Sequence, residues 1–141
     1  MRVIILISFF LSLMACSEPV EHNCAAFKTG KFKVNKLDSL ISETLITRTD
    51  KYQIEEFTQY YKRDFEGKLI KKTSKHLDSF TVKWVNDCEF VLKKIHPKNR
   101  IERKAFFVRI LTTTKDSYYF EGRFEDNKSL TYQTAYRIKN D

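Results

Sequence analysis

Hydrophobic and polar residues alternate along much of the chain after residue 26. In SYYFEGRFE, Tyr118, Phe120, Gly122 and Phe124 fall on one face and the residues between them fall on the other. This period of two is typical of half-buried β-strands. LTYQTAYRIKN repeats it, whereas AFFVRILTTT is apolar on both faces at first, which predicts a strand covered on both sides for part of its length.

Turn-forming residues separate these runs at short intervals. The predicted strands are Phe27–Asn35, Leu40–Arg48, Tyr52–Tyr61, Lys68–Lys75, Ser79–Val85, Cys88–His96, Ile101–Thr114, Ser117–Glu125 and Ser129–Lys139. The segment Leu37–Leu45 is ambiguous, because its spacing is also compatible with a short helix.

Sequential strands with short links predict an all-β domain. We expect a single antiparallel meander of eight or nine strands, either a closed barrel or a strongly curled sheet. Closure of a meander into a barrel removes its exposed edges. An eight-stranded barrel is either filled by side chains or holds one small ligand.

TGKFKV, with Gly30 and Phe32, resembles the first-strand G-x-W motif of lipocalins and related calycins, with Phe in place of Trp. In those barrels an arginine of the last strand packs across the aromatic side chain at the closed end. Arg137 in TAYRIKN is placed for that role. The resemblance therefore implies a lipocalin-like architecture.

The N-terminus has the layout of a secretory signal. Arg2 provides a positive start, the apolar run extends from Val3 to Met14, and the small residue Ala15 precedes Cys16. A helix needs roughly 20 apolar residues to span a bilayer. The run is shorter than that, so we favour a cleaved signal over a retained transmembrane helix.

Leu13-Met14-Ala15-Cys16 resembles the lipobox of bacterial lipoproteins. The resemblance implies cleavage before Cys16 and attachment of a diacylglycerol to its thiol, which predicts a palmitate-type anchor in the cell envelope of a bacterium, at the outer membrane. The alternative is an ordinary secretory signal. The chain then divides into a signal peptide at 1–15, a lipidated cysteine and flexible tether at 16–23, and a folded domain at 24–141.

The mature part also resembles a family of small, uncharacterised lipoproteins from two-membrane bacteria. The likeness rests on FKTGKF, ITRTDKYQIEEF, KWVNDCEFVLKKIHP, KAFFVRILTTTKDSYYFE and TAYRI. Some members carry a DNA topoisomerase IV label, which these residues do not support. A topoisomerase needs a large DNA-gripping fold and a metal-binding acidic cluster.

Two cysteines remain once Cys16 is assigned to lipid. Exported proteins meet an oxidising compartment, where two remaining cysteines most often pair. We therefore predict a disulfide between Cys24 and Cys88. The alternative is two separately buried thiols.

The formal net charge is +8, and KKIHPKNRIERK concentrates basic residues in a predicted hairpin with Pro97–Asn99 at its tip. The hairpin is either a solvated tip or a contact for anionic lipid headgroups, lipopolysaccharide or another acidic polymer. Nucleic acid is not an expected partner of an exported protein. The candidate contact residues are Lys93, Lys94, Lys98, Arg100, Arg103 and Lys104.

The many aromatic side chains either fill the barrel or line an apolar pocket with a few polar groups. They include Phe32, Phe57, Phe80, Trp84, Phe90, Phe106, Phe107, Phe120 and Tyr136. The candidate lining residues for a ligand or core are Phe32, Trp84, Phe90, Arg109, Tyr118 and Arg137.

Little in the sequence points to catalysis. His76 and Asp78 form a short H-x-D that is more often a turn than a metal site, and Glu55 and Glu56 are adjacent on a strand, so they point to opposite faces. P-loop, CxxC, HExxH and GxSxG motifs do not occur. We predict no enzyme, no cofactor and no metal.

Two classes of function follow. The first is a lipid-anchored binding module for a small apolar or amphipathic ligand. The alternative is a structural or protein-interaction accessory subunit, or an inhibitor of an exported enzyme, with a filled core.

Overall fold

The computed structural model describes residues 22–37, 40–62 and 69–139. One turn of 3₁₀ helix, Cys24–Phe27, precedes eight strands. The strands are β1 (Gly30–Leu37), β2 (Leu40–Arg48), β3 (Tyr52–Lys62), β4 (Leu69–Trp84), β5 (Glu89–Lys94), β6 (Phe106–Thr113), β7 (Ser117–Phe124) and β8 (Thr131–Arg137). The predicted signal peptide and Cys16 lie outside the described residues.

The eight strands form one closed antiparallel barrel in sequence order. Each strand pairs with the next, and β1 pairs with β8 along Phe32–Val34 and Ala135–Arg137. The prediction of an all-β meander is thus confirmed, with eight strands and a closed sheet. The topology is compatible with the lipocalin-like architecture that the sequence implied.

The two ends of the barrel differ. The 3₁₀ helix covers the end at which β1 begins, which we call the closed end. Because chain direction alternates, β2, β4, β6 and β8 end there, and β3, β5 and β7 begin there. The opposite end, where β5 ends and β6 begins, is called the open end.

The largest departure from the predicted strands concerns β4. Lys68–Lys75 and Ser79–Val85 were expected as two strands separated by a turn, whereas β4 is a single strand of 16 residues. Its central residues pair continuously with β3, from Ser79 opposite Ile54 to Lys75 opposite Thr58. The polar residues between the two apolar runs therefore belong to a strand, and the strand count falls from nine to eight.

Two other predictions need correction. Ile101–Thr114 was expected to be a strand, but residues 101–103 form a turn and β6 begins at Phe106. The connection between β5 and β6 is therefore longer than the predicted hairpin, with its tip at Pro97–Asn99, implies. The helical alternative for Leu37–Leu45 is also wrong where the structure describes it, since Leu37 ends β1 and Leu40–Arg48 is β2.

The core lies toward the closed end of the barrel. Phe27, Phe32, Phe90 and Tyr118 are almost completely buried. Ring centroids of Phe27 and Phe32 each lie within 5.4 Å of the Tyr118 centroid. Such tilted aromatic pairs stabilise a core beyond the apolar area that they bury.

Not every aromatic residue of the sequence belongs to this core. Tyr136 is 54% exposed, and the guanidinium of Arg123 lies over the ring of Phe107. Phe107 and Tyr136 lie on the outer face of the barrel, because their neighbours along the strands, Phe106 and Ala135, face inward. The expectation that Tyr136 fills the barrel is therefore wrong.

Candidate functional site

The barrel interior is not completely filled. A cavity of about 310 Å³ extends from the buried core toward the open end. Its walls are mainly apolar, with a small number of polar groups among them. The side chains that line it are Val34, Thr44, Ile46, Arg48, Gln53, Glu55, Phe90, Leu92, Phe106, Val108, Tyr118, Phe120, Phe124, Thr131 and Gln133.

Arg48 lies at the base of this cavity. It is the last residue of β2, at the closed end, and is only 3% exposed. Its Nη2 donates to the hydroxyl of Tyr118 at 2.7 Å, and its Nη1 donates to the backbone oxygen of Phe27 at 3.2 Å. The guanidinium also lies 4.4 Å from the ring centroid of Phe90. These contacts fix the buried cation in one orientation.

Gln53 connects Arg48 to a carboxyl group. Arg48 and Gln53 are directly opposite each other in the β2–β3 pairing, which brings their side chains together. Arg48 Nε donates to Gln53 Oε1 at 2.5 Å, and Gln53 Nε2 donates to Glu55 Oε1 at 2.5 Å. The hydrogen-bonded chain therefore runs from Tyr118 through Arg48 and Gln53 to Glu55.

Burial changes the proton affinity of both ends of this chain. Desolvation raises the pKa of Glu55, and the hydrogen bond from Gln53 and the charge of Arg48 oppose the rise. Desolvation also raises the pKa of Tyr118, which stays a neutral phenol. The low-dielectric cavity thus disfavours a negative charge on either residue.

The closed end is sealed by the 3₁₀ helix and by Arg137. The guanidinium of Arg137 lies 4.8 Å from the ring centroid of Phe27 and 5.3 Å from that of Phe32, and it donates to the backbone oxygen of Ala26. This is the packing that the lipocalin resemblance implied. Gly30 has φ of +134°, and a Cβ there would lie 3.0 Å from Arg137 Nη1, so glycine suits this position.

The disulfide between Cys24 and Cys88 is present and joins residues 64 positions apart. It links the 3₁₀ helix to the connection between β4 and β5. The prediction of the pair is confirmed. The bond fixes the 3₁₀ helix over the base of the cavity. Phe27, the last residue of this helix, accepts a hydrogen bond from Arg48 through its backbone oxygen.

Five of the six predicted lining residues lie in the cavity wall, in the core or at the closed end. Phe90 and Tyr118 line the cavity, and Phe32 lies in the core beneath it. Trp84 packs against the core, with its ring centroid 4.6 Å from that of Phe90. Arg137 covers the closed end.

Arg109 does not line the interior. Its side chain is 59% exposed on the outer face of β6 and pairs with Glu89 at 2.6 Å and Glu121 at 3.4 Å. Its neighbour Val108 faces inward, so the alternation of the strand directs Arg109 outward. The proposed lining role of Arg109 is corrected accordingly.

The basic candidate residues lie at the open end of the barrel, at the end of β5 and in the connection from β5 to β6. Lys94 is largely buried and pairs with Asp78 at 2.7 Å and Glu102 at 3.3 Å. Lys104 pairs with Asp126 of the β7–β8 connection. The remaining basic residues of the candidate set are exposed, namely Lys93, Lys98, Arg100 and Arg103.

The sequence analysis does not identify Arg48 or Gln53 as cavity residues, and it gives Glu55 no inward role. Ile46 and Arg48 are two positions apart on β2, so the same alternation that directs Ile46 inward also directs Arg48 inward. The opposite directions of Glu55 and Glu56 are as predicted. Glu55 lines the cavity, and Glu56 pairs with Lys75 at 3.0 Å on the outside.

His76 and Asp78 contact each other on β4, with 3.1 Å between Nε2 and Oδ1. The predicted turn at this point is wrong, because both residues belong to the strand. Within residues 22–37, 40–62 and 69–139, His, Cys, Asp and Glu side chains form no group of three or more that could hold a metal ion.

No family model and no curated protein matches the chain. In the described part of the chain, no helix has the length and apolar character needed to cross a membrane.

Proposed function

We propose that this protein is an exported, lipid-anchored binding protein of the bacterial cell envelope, which holds a small amphipathic ligand inside its barrel. The observation that carries the proposal is the cavity of about 310 Å³ with apolar walls and a polar base. This combination of a concave apolar site and a few convergent polar groups is usual for small-molecule sites. The protein acts by binding and not as an enzyme.

The size of the cavity limits the ligand. An apolar cavity of about 150 Å³ is large enough for a benzene ring. The volume here, about 310 Å³, therefore suits a short alkyl chain or a small ring system and not a whole phospholipid.

The anchoring part of the proposal rests on the lipobox-like residues before and at Cys16 and on the likeness to small envelope lipoproteins. The Cys24–Cys88 disulfide supports export, because such bonds persist in oxidising compartments. Acyl chains on Cys16 would hold the protein at the outer membrane, since each buried methylene contributes about 0.8 kcal/mol.

On this proposal, the opening of the barrel faces away from the tether. The described chain enters at the closed end, where the backbone N–H of Asn23 donates to Thr113 Oγ1 at 2.9 Å. The cavity opens at the opposite end, past Phe106 and Phe124. A protein tethered through residues 16–23 would thus present its opening to the aqueous side and receive its ligand from there.

The alternative function, an accessory subunit that binds another protein, is favoured by one feature of the outer surface. Tyr119, Tyr132 and Tyr136 are each at least 39% exposed on the neighbouring strands β7 and β8. The rings of Tyr119 and Tyr132 stack with centroids 6.1 Å apart. An inhibitor that inserts the β5–β6 connection is less well supported, because the ion pairs Lys94–Glu102 and Lys104–Asp126 hold that connection against the barrel.

The proposal is tested on protein purified from its own envelope. Native mass spectrometry is expected to show a population carrying an added small molecule, and solvent extraction is expected to release it. Substituting Phe120→Trp, which fills the cavity, should abolish this population. Protein that carries no such molecule, and that binds none of a panel of eight-carbon amphiphiles, would favour the accessory subunit.

Anchoring is tested separately by metabolic labelling with palmitate. The wild-type chain is expected to be labelled, and the Cys16→Ala chain should be unlabelled and should leave the membrane fraction. Continued labelling of Cys16→Ala would contradict the anchoring proposal without affecting the cavity.

A further inference from the structure

The buried guanidinium of Arg48 lacks an anionic partner within the described residues. Its three hydrogen-bond acceptors are the amide oxygen of Gln53, the backbone oxygen of Phe27 and the hydroxyl of Tyr118, all uncharged groups. No described carboxylate lies within ion-pair distance of Arg48. A buried cation in this situation is costly unless a negative charge or strong acceptors compensate it.

The environment of Arg48 is suited to an incoming anion. Three of the five guanidinium N–H groups are accounted for by the acceptors above, which leaves two for a ligand. The ring centroids of Phe90, Phe32 and Tyr118 lie 4.4 to 5.6 Å from the guanidinium carbon, while Arg48 also lines the cavity. Hydrogen bonds from a desolvated guanidinium to an anion are among the strong ones in proteins.

Glu55 is the carboxyl group that could neutralise Arg48, but it reaches Arg48 only through Gln53. Burial raises its pKa, so the carboxyl tends toward its neutral form. The charged or titratable groups that also act on it are Asp78, Lys94 and Tyr118. Because Gln53 lies between the two side chains, Glu55 gives Arg48 no direct ion pair at the base of the cavity.

The walls above this base are apolar. Ile46, Leu92, Val108 and Phe120 lie between Arg48 and the open end. A ligand with its charged group on Arg48 would thus lay a short apolar tail against these side chains and extend it toward the opening.

We propose that the ligand is a short amphiphile whose head group carries one negative charge, such as a carboxylate, and that Arg48 binds this head group at the base of the cavity. The inference rests on the proposed binding function, and it adds the sign of the head group and its position. Arg48 contributes two N–H groups to the anion, and Tyr118 stays bonded to the same guanidinium.

The test compares three eight-carbon probes that differ only in their heads: octanesulfonate, octanol and octylamine. Each is titrated into the purified full-length protein by calorimetry at pH 7. Octanesulfonate should bind about tenfold or more tightly than octanol, the ratio expected for hydrogen bonds to a charged group, and octylamine should bind most weakly. The sulfonate stays ionised at all pH values used, so its own titration does not enter.

Arg48→Met retains an unbranched apolar side chain and removes the charge. It should reduce octanesulfonate affinity to the level of octanol and leave octanol binding unchanged. Thr44→Val is the matched control, because Thr44 lines the same cavity about 13 Å along β2 from Arg48. It should change the affinities for the two probes by the same factor.

Glu55→Gln supplies a second variant that does not depend on removal of Arg48. It should raise octanesulfonate affinity at pH 8, because it removes a negative charge near the head group, and it should abolish the increase in affinity that we expect of the wild type on acidification from pH 8 to pH 5.

The outcomes separate the two proposals. Equal binding of all three probes would overturn the head-group inference and leave the binding function intact. Tightest binding of octylamine would overturn it as well, since Glu55 would then be the anchor. Failure of every probe to bind would overturn the binding function itself.

Discussion

Glu55 holds a carboxyl group where a negative charge is unfavourable. From the described part of the chain its carboxyl group receives a hydrogen bond from Gln53, while the surrounding protein removes much of its hydration. The pKa of Glu55 in the folded protein therefore lies above its ordinary value of 4.5. In the unfolded chain the carboxyl recovers that ordinary value.

This difference predicts a pH dependence of stability. Between the two pKa values the folded state binds more protons than the unfolded state, so the free energy of unfolding falls as pH rises. We expect wild-type protein to lose stability from pH 5 to pH 8 relative to Glu55→Gln, which cannot ionise. Thermal unfolding of both chains at the two pH values measures the difference.

The comparison with Glu55→Gln cancels the titration of groups common to both chains. Glu56→Gln is the matched control, because Glu56 lies on the outer face and pairs with Lys75. It should show the same pH slope as wild type. A Glu55→Gln slope equal to that of wild type would contradict the raised pKa.

At the scale of single residues, the sequence predicts which face of a strand a side chain occupies better than it predicts which partner that side chain contacts. Alternation correctly separates Glu55 from Glu56, and it would also have placed Arg48 beside Ile46 on the inner face. It does not show that Arg48 meets Gln53, because that contact depends on the register between β2 and β3. The lining role predicted for Arg109 is wrong, because Arg109 follows the inward-facing Val108 on β6 and therefore points outward.

At the scale of elements, the 3₁₀ helix is too short to be stable alone. It is held by the Cys24–Cys88 disulfide and by burial of Phe27. Since Phe27 also supplies an acceptor to Arg48, the helix is part of the base of the cavity. Loosening the helix should therefore affect both stability and ligand binding.

Replacing both Cys24 and Cys88 with Ala is expected to destabilise the fold by up to about 4 kcal/mol, the chain-entropy value for a loop of this length. The fluorescence of Trp84, the only tryptophan of the chain, reports unfolding in urea. Trp84 packs on Phe90 in the core and is therefore sensitive to loss of tertiary structure.

Reduction of the wild type provides the control for this substitution. Reductant should lower the urea midpoint of the wild type toward that of the double variant and leave the double variant unchanged. A double variant as stable as the oxidised wild type would show that the disulfide does not stabilise the helix.

Strand boundaries were predicted best where both faces of a strand keep a simple pattern. The bounds of β2, Leu40–Arg48, agree with the prediction. The sequence pattern divides β4 in two because the polar residues His76 and Asp78 resemble a turn. In the structure these residues lie toward the open end, where polar side chains occur on both faces of a strand.

At the scale of the whole molecule, positive charge is concentrated around the entrance. Lys93, Lys98, Arg100 and Arg103 are exposed near the open end. Of these, Arg100 and Arg103 share a surface depression with Glu125 and Asp126 of the neighbouring connection. Charge of one sign at the mouth of a cleft increases the encounter rate of ligands of the opposite sign. The entrance thus favours the same anionic ligand as Arg48.

Reversing two of these charges tests the effect. The double variant Arg100→Glu, Arg103→Glu should reduce the association rate of octanesulfonate by about tenfold at low salt. Added salt should reduce the difference from wild type, because exposed charges are screened beyond about 10 Å at 0.1 M. Stopped-flow fluorescence of Trp84 measures the rate.

The double variant Lys51→Glu, Lys83→Glu is the matched control for charge, because both lysines are exposed near the closed end. It should leave the association rate close to that of wild type. An equal loss with both variants would mean that net charge acts, and not charge at the entrance.

The closed barrel was predictable at this scale because sequential strands with short links allow few arrangements. The volume inside it was not, because it depends on how Phe90, Phe106 and Phe120 pack across the barrel. Identical composition is compatible with a filled interior and with a hollow one. The cavity became apparent only with the packing of the side chains.

Both described ends of the chain, residues 22–23 and 138–139, lie at the closed end. Among the described residues, the rim of the opening consequently consists of connections between consecutive strands, such as residues 95–105 and 125–130. Insertions and deletions in such connections leave the disulfide, the 3₁₀ helix and the Arg48 cluster untouched. The rim connections can therefore change in length and sequence, and with them the ligand preference, without altering the closed end that stabilises the fold.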